Sequence, residues 1–117
     1  NHPRELSLAV RKGLAQLVDA GVPLLNQSVL LRGVNDSVQI LEELSQELVS
    51  CRVFPYYLHH LDPVPGTARF RVSPERGLEL MTGLARRVSG VALPKYVIDP
   101  PDGSGKVPVS QWMATTP

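Results

Sequence analysis

The sequence predicts an α/β fold of about three parallel β/α units, forming an arc of sheet rather than a closed barrel. Two observations carry this expectation. Apolar residues recur at helical spacing in three stretches, and each stretch is followed by a short, mostly apolar run of strand length. The resulting order of helix, strand, helix, strand, helix, strand favours parallel strands joined by right-handed helical crossovers. A length of 117 residues suits one domain or part of one, so residues 1–117 are taken as a single unit.

The first helix is expected over 3–20. Pro3 suits its first position, where a missing N–H costs nothing. Leu6, Val10, Leu14, Leu17 and Val18 form its apolar face, and Gly21 stops it. Arg4, Glu5, Arg11, Lys12 and Asp19 read as its solvated face. A strand follows over 22–31, its near-continuous apolarity suiting burial on both faces. Asn26, Gln27 and Ser28 interrupt that run and require polar partners if buried. Asn35 or Asp36 is expected to cap the second helix, whose stripe is Ile40, Leu41, Leu44, Leu48 and Val49. Cys51, between this helix and the next strand, reads as a small buried hydrophobe.

The second strand is expected over 52–58. Ser73 caps the third helix and Pro74 opens it, with Leu78, Met81, Leu84 and Val88 on its apolar face. A third strand covers 96–98, and residues 107–117 receive no element.

Composition narrows the class. Hydrophobic residues make up 43% and charged residues 20%, which argues against disorder. A net charge of +1 marks neither a nucleic-acid nor an anionic-membrane surface. No apolar run approaches the roughly 20 residues of a membrane-spanning helix, and Asn1 begins directly in polar sequence, so a cytoplasmic protein is expected. A start at Asn rather than Met suggests a cut or processed N-terminus. With Cys51 as its single cysteine, the chain can form neither an internal disulfide nor a cysteine-rich metal site. Eleven prolines and nine glycines indicate long, stiff loops.

In parallel α/β folds functional groups gather at the carboxyl ends of strands. That rule places Asn26, Gln27 and Ser28 toward the end of the first strand, Asp62 in the loop after the second, and Asp99 after the third. Asp99 opens the run Asp99-Pro100-Pro101-Asp102-Gly103-Ser104-Gly105-Lys106. Two carboxylates converging on one mouth suit a cation or a metal. A lysine on a glycine-rich loop suits phosphate, or an imine with an aldehyde cofactor. The plainer readings remain open: an Asp before Pro is a common turn residue, and Lys106 alone is a solvated lysine. Gly-Ser-Gly-Lys is not a phosphate-binding P-loop, because Pro100 stands where a Gly is required and Val107 where Ser or Thr is required. His59 and His60 are strand neighbours, so they cannot share a metal from a regular strand.

Several segments together resemble the lysine 2,3-aminomutase family of radical S-adenosylmethionine enzymes. They are Asn1-His2-Pro3, the run Leu25-Asn26-Gln27-Ser28-Val29-Leu30-Leu31-Arg32-Gly33-Val34-Asn35-Asp36, Pro55-Tyr56-Tyr57 with Asp62, Ser89-Gly90, and Asp99 with Gly103-Ser104-Gly105-Lys106. The resemblance covers nearly the whole chain and implies the C-terminal part of a partial (β/α) barrel. It implies three cofactors: pyridoxal phosphate, S-adenosylmethionine and a 4Fe-4S cluster.

Lys106 matches the lysine joined to pyridoxal phosphate as an imine. Asp62 and Asp99 match the two carboxylates that hold the side-chain ammonium of substrate lysine, and Gln27 matches a residue near S-adenosylmethionine. His59 falls at a position often aromatic in the family, and its role is left open. The implied reaction moves the 2-amino group of lysine to carbon 3 by a 5′-deoxyadenosyl radical. The cluster-binding Cys-x-x-x-Cys-x-x-Cys is absent from this chain, so the isolated piece is expected to be inactive. Ser37 stands where some members have a zinc-binding cysteine, so no structural zinc is expected. The competing readings are a non-catalytic ligand- or partner-binding module of the same fold, a relative that makes β-lysine for a translation elongation factor, and a mutase for another amino acid. The resemblance implies a small amino-acid partner and is compatible with a homo-oligomer; no nucleic acid or membrane partner is expected.

Overall fold

Three strands run parallel, side by side, with helices packed on one face. The computed structural model describes residues 1–62 and 64–115. In chain order the elements are α1 (Leu8–Asp19), β1 (Leu25–Val29), α2 (Val38–Ser50), β2 (Phe54–His59), α3 (Pro74–Ala85), β3 (Lys95–Ile98), β4 (Val107–Pro108) and α4 (Val109–Thr115). The sheet order is β1-β2-β3-β4. The first three strands are parallel, and the two-residue β4 returns antiparallel to β3. The expected open α/β arc is therefore present. The last segment, which showed no clear periodicity in sequence, adds β4 and α4.

Other boundaries differ from expectation. α1 begins at Leu8, because the Ser7 side chain accepts from the Val10 N–H and caps it there. Pro3 opens a separate 3-10 turn, Pro3–Glu5, capped by His2. The apolar stripe of α1 is not a buried face: Val10 and Leu17 are exposed, and α1 buries none of its side chains. Its charges are more than a solvated face. Arg11 pairs with Glu47 of α2, and Asp19 with Arg52. β1 is shorter than 22–31, since Val22 and Pro23 precede the ladder and Leu30 and Leu31 lead out of it. Cys51 is only half buried and accepts from Arg11 Nη1 at 3.3 Å, so it is a polar contact rather than a plain hydrophobe.

Ser37 caps α2, not Asn35 or Asp36. Asn35 is fully buried and otherwise engaged: its Oδ1 accepts from the Leu31 N–H at 2.8 Å, and its Nδ2 donates to the carbonyls of Val29 and Asn1, each at 2.9 Å. It thus stitches the β1–α2 loop to the strand it leaves.

The core lies between sheet and helices. Leu30, Leu58 and Tyr96 from the sheet side meet Leu41 of α2 and Leu80 and Leu84 of α3. Each fully buried leucine contributes on the order of 1.5–3 kcal/mol. α3 approaches the sheet so closely at Gly77 that a Cβ there would lie 2.2 Å from the Tyr96 hydroxyl, which explains a glycine in mid-helix. No helix among the described residues is long and apolar enough to cross a membrane.

Candidate functional site

The register of the sheet decides which side chains reach the face away from the helices. Asn26 pairs with Pro55 but Gln27 pairs with Tyr57, so Tyr56 is an extra residue in β2. This bulge aligns Gln27 with Tyr57 and Val29 with His59. β3 continues the row with Lys95 opposite Tyr57 and Val97 opposite His59. Leu58 and Tyr96 consequently point to the core, while Gln27, Tyr57 and His59 share the open face.

The polar groups on that face are joined across three strands. His59 Nε2 lies 2.8 Å from Gln27 Oε1, and His59 Nδ1 lies 3.7 Å from Asp99 Oδ2. Asp99 directly follows β3, so its carboxylate stands at the carboxyl edge and is exposed. The Tyr57 ring is 5.8 Å from the His59 ring, and the Lys106 Nζ sits over the Tyr57 ring at 5.5 Å. Gln27, His59, Asp99, Tyr57 and Lys106 therefore form one connected mouth. Of the residues singled out in sequence, it gathers Gln27, Asp99 and Lys106.

Asp62 stands apart from these contacts. It is exposed on the loop after β2, and its charge acts on His60. That loop is held at its root by His60, whose N–H donates to Val97 and whose Nδ1 lies 2.8 Å from the buried Tyr96 hydroxyl. The two histidines point in opposite directions, as strand alternation requires. Burial holds the His60 imidazole below its ordinary range, with Arg71 acting the same way and Asp62 opposing, and burial pushes the Tyr96 phenol up.

Lys106 is carried by a loop whose two glycines have φ of +77° and +86° at Gly103 and Gly105. A left-handed backbone twice in three residues is what glycine permits and other residues resist. Open space surrounds both positions where a Cβ would stand. Asp102 ties the turn by accepting from the Ser104 N–H at 2.9 Å, and the Ser104 hydroxyl, with that N–H second, holds its carboxyl below the ordinary range.

An exposed amine, an aromatic face 5.5 Å beneath it and open space at the two neighbouring glycines leave room for a planar aldehyde cofactor such as pyridoxal phosphate. They do not fit an iron–sulfur cluster. Among the described residues no three His, Cys, Asp or Glu side chains are grouped to hold a metal, and the chain has one cysteine. Sequence reasoning left the role of His59 open, although it joins Gln27 to Asp99. It missed Tyr57 as the platform below Lys106. The signal for both was strand alternation, which puts Tyr57 and His59 on one face; the bulge before Tyr57 decides that Gln27 shares it.

Fold and mouth together define an open, mostly parallel α/β sheet with its polar groups at the carboxyl edge. The radical SAM methyltransferase from Sphaerobacter thermophilus shares this fold, with a TM-score of 0.60 at 24% identity over 82% of this chain and 28% of that one. No family model matches the chain. Curated relatives are more similar in sequence. L-lysine 2,3-aminomutase of Methanococcus maripaludis is 48% identical over 93% of this chain, and that of Fusobacterium nucleatum 47% over the same share. Glutamate 2,3-aminomutase of Clostridioides difficile is 42% identical, also over 93%. Over nearly its whole length the chain is similar to lysine 2,3-aminomutases, and it spans about a quarter of the length of these relatives.

Proposed function

We propose that the protein is a radical L-lysine 2,3-aminomutase, with residues 1–117 forming the C-terminal part of its partial-barrel domain. The observation that carries this reading is the Asp99 carboxylate and the Lys106 amine on one mouth at the carboxyl edge of the sheet. Relatives named L-lysine 2,3-aminomutase support it.

In this reading Lys106 holds pyridoxal phosphate, and Tyr57 presents its ring face below the amine. Asp99 receives the ammonium at the far end of the substrate side chain, and Asp62 is the second carboxylate for that group. A buried or half-buried ammonium without counter-charge is costly, so paired carboxylates favour a diamino acid over one with an apolar tail. Gln27, on the same face as His59, contacts S-adenosylmethionine. When bound, pyridoxal phosphate supplies a carrier for the migrating amino group, and S-adenosylmethionine with a 4Fe-4S cluster supplies the hydrogen-abstracting radical. The ligands of that cluster come from outside this chain.

Turnover tests the reading. The full-length protein, reconstituted with cluster, S-adenosylmethionine and pyridoxal phosphate, is expected to convert L-lysine to β-lysine. Conversion of glutamate with none of lysine would assign it to the substrate class in the name of the Clostridioides relative.

A further inference from the structure

His59 lies at the centre of the mouth, between Gln27 and Asp99. An amide oxygen only accepts, so the 2.8 Å contact with Gln27 Oε1 requires the proton on His59 Nε2. In the neutral ring that leaves Nδ1 as an acceptor, and Nδ1 faces Asp99 Oδ2 at 3.7 Å. A carboxylate is also an acceptor. Two acceptors do not bond each other, but a donor placed between them bonds both.

The side chain of Asp99 is 45% exposed while that of His59 is 18% exposed, so the carboxylate opens to the mouth and the ring is packed behind it. The charged and polar groups facing the ring are Gln27 from β1, Tyr57 from its own strand, Asp99 after β3, and Lys106 beyond Tyr57.

We propose that His59 is a specificity-determining residue: its Nδ1 and the Asp99 carboxylate form a two-acceptor notch for a primary ammonium at the end of a substrate side chain, with Gln27 setting the tautomer. This rests on the aminomutase reading of the site and adds to Asp99 a neutral second acceptor. An ammonium carries three N–H donors, so it serves both notch atoms and keeps one for Asp62. A side-chain carboxylate brings only acceptors and is rejected by both.

The test uses the full-length protein loaded with pyridoxal phosphate and labelled with 15N-histidine. The His59 resonances are assigned by their loss in His59→Asn. L-Lysine is expected to shift the His59 Nδ1 resonance, and L-norleucine, which lacks the terminal ammonium, to leave it in place. His59→Phe is expected to raise the KM for lysine roughly tenfold, the size of one hydrogen bond to a charged group, with the larger part of the loss in KM rather than kcat. His59→Asn, which keeps an acceptor near Nδ1, restores most of that loss. Saturation by lysine with no movement of the His59 signal overturns the proposal, as does an unchanged KM in His59→Phe. If the unsubstituted protein neither binds nor converts lysine, the aminomutase reading itself fails and the notch falls with it.

Discussion

Tyr57, Leu58 and His59 each face the side of the sheet they do because of one extra residue, Tyr56. Without that bulge Gln27 would pair with Tyr56, Leu58 would turn to the open face, and His59 would turn to the core. Asp62, Asp99 and Lys106 were legible as candidates because they follow predicted strands in loops rich in Pro and Gly. The placing of His59 between Gln27 and Asp99 was not, because one residue of register decides it and no composition signal reports a bulge. At this scale, if Asp99 receives the substrate ammonium, Asp99→Asn is expected to raise the KM for lysine at least tenfold, since an ion pair becomes a hydrogen bond from the ammonium to a neutral amide oxygen; a lysine titration of initial rates measures it. Gly77→Ala is expected to cost about 1–3 kcal/mol, because its Cβ would meet the Tyr96 hydroxyl at 2.2 Å. Urea denaturation reads that loss, and an unchanged midpoint would show that α3 can shift away from the sheet.

Among the elements, helix starts were read best where one cap residue stands alone. Ser73 with Pro74 opens α3 as expected. Before α2 three cap-competent residues stand in a row, Asn35, Asp36 and Ser37, and only tertiary contacts choose among them. Asn35 is drawn into the β1–α2 loop and Asp36 accepts from the Gly33 N–H, which leaves Ser37 to cap. Ser37→Ala is expected to cost about 1 kcal/mol. Asn35→Ala is expected to cost more, since it strips partners from the Leu31 N–H and two backbone carbonyls at a fully buried site. Equal midpoints for the two variants in thermal unfolding would contradict this division of roles. α1 was read too long because Pro3 and Ser7 both signal a helix start, and the 3-10 turn uses the first signal while α1 uses the second.

For the molecule as a whole, the arc leaves apolar residues uncovered near its β1 edge. Leu8, Val10, Leu17, Val22, Leu25 and Phe54 are all exposed. β1 has a strand partner on one side only among the described residues, although the Asn1 side chain accepts from the Val29 N–H at 2.9 Å. The isolated chain is therefore expected to self-associate with rising concentration, and Leu25→Lys to reduce this in light scattering.

The pH dependence of its stability follows from His60. Burial holds the folded imidazole below its ordinary range, so the unfolded chain binds the proton more readily. Stability is then full above the unfolded value near pH 6.5 and declines as pH falls through it. Urea midpoints from pH 8 to 5 measure this, and a rise on acidification would contradict it.

The proposed aminomutase site depends most on Lys106 as the residue that holds the cofactor. Borohydride reduction of the full-length protein loaded with pyridoxal phosphate, followed by peptide mass spectrometry, tests it most directly. This chain offers Lys12, Lys95 and Lys106 as acceptors. The phosphopyridoxyl mass is expected on the Lys106 peptide and is expected to be lost in Lys106→Ala; label on Lys12 or Lys95, or no label in this chain, would overturn the assignment.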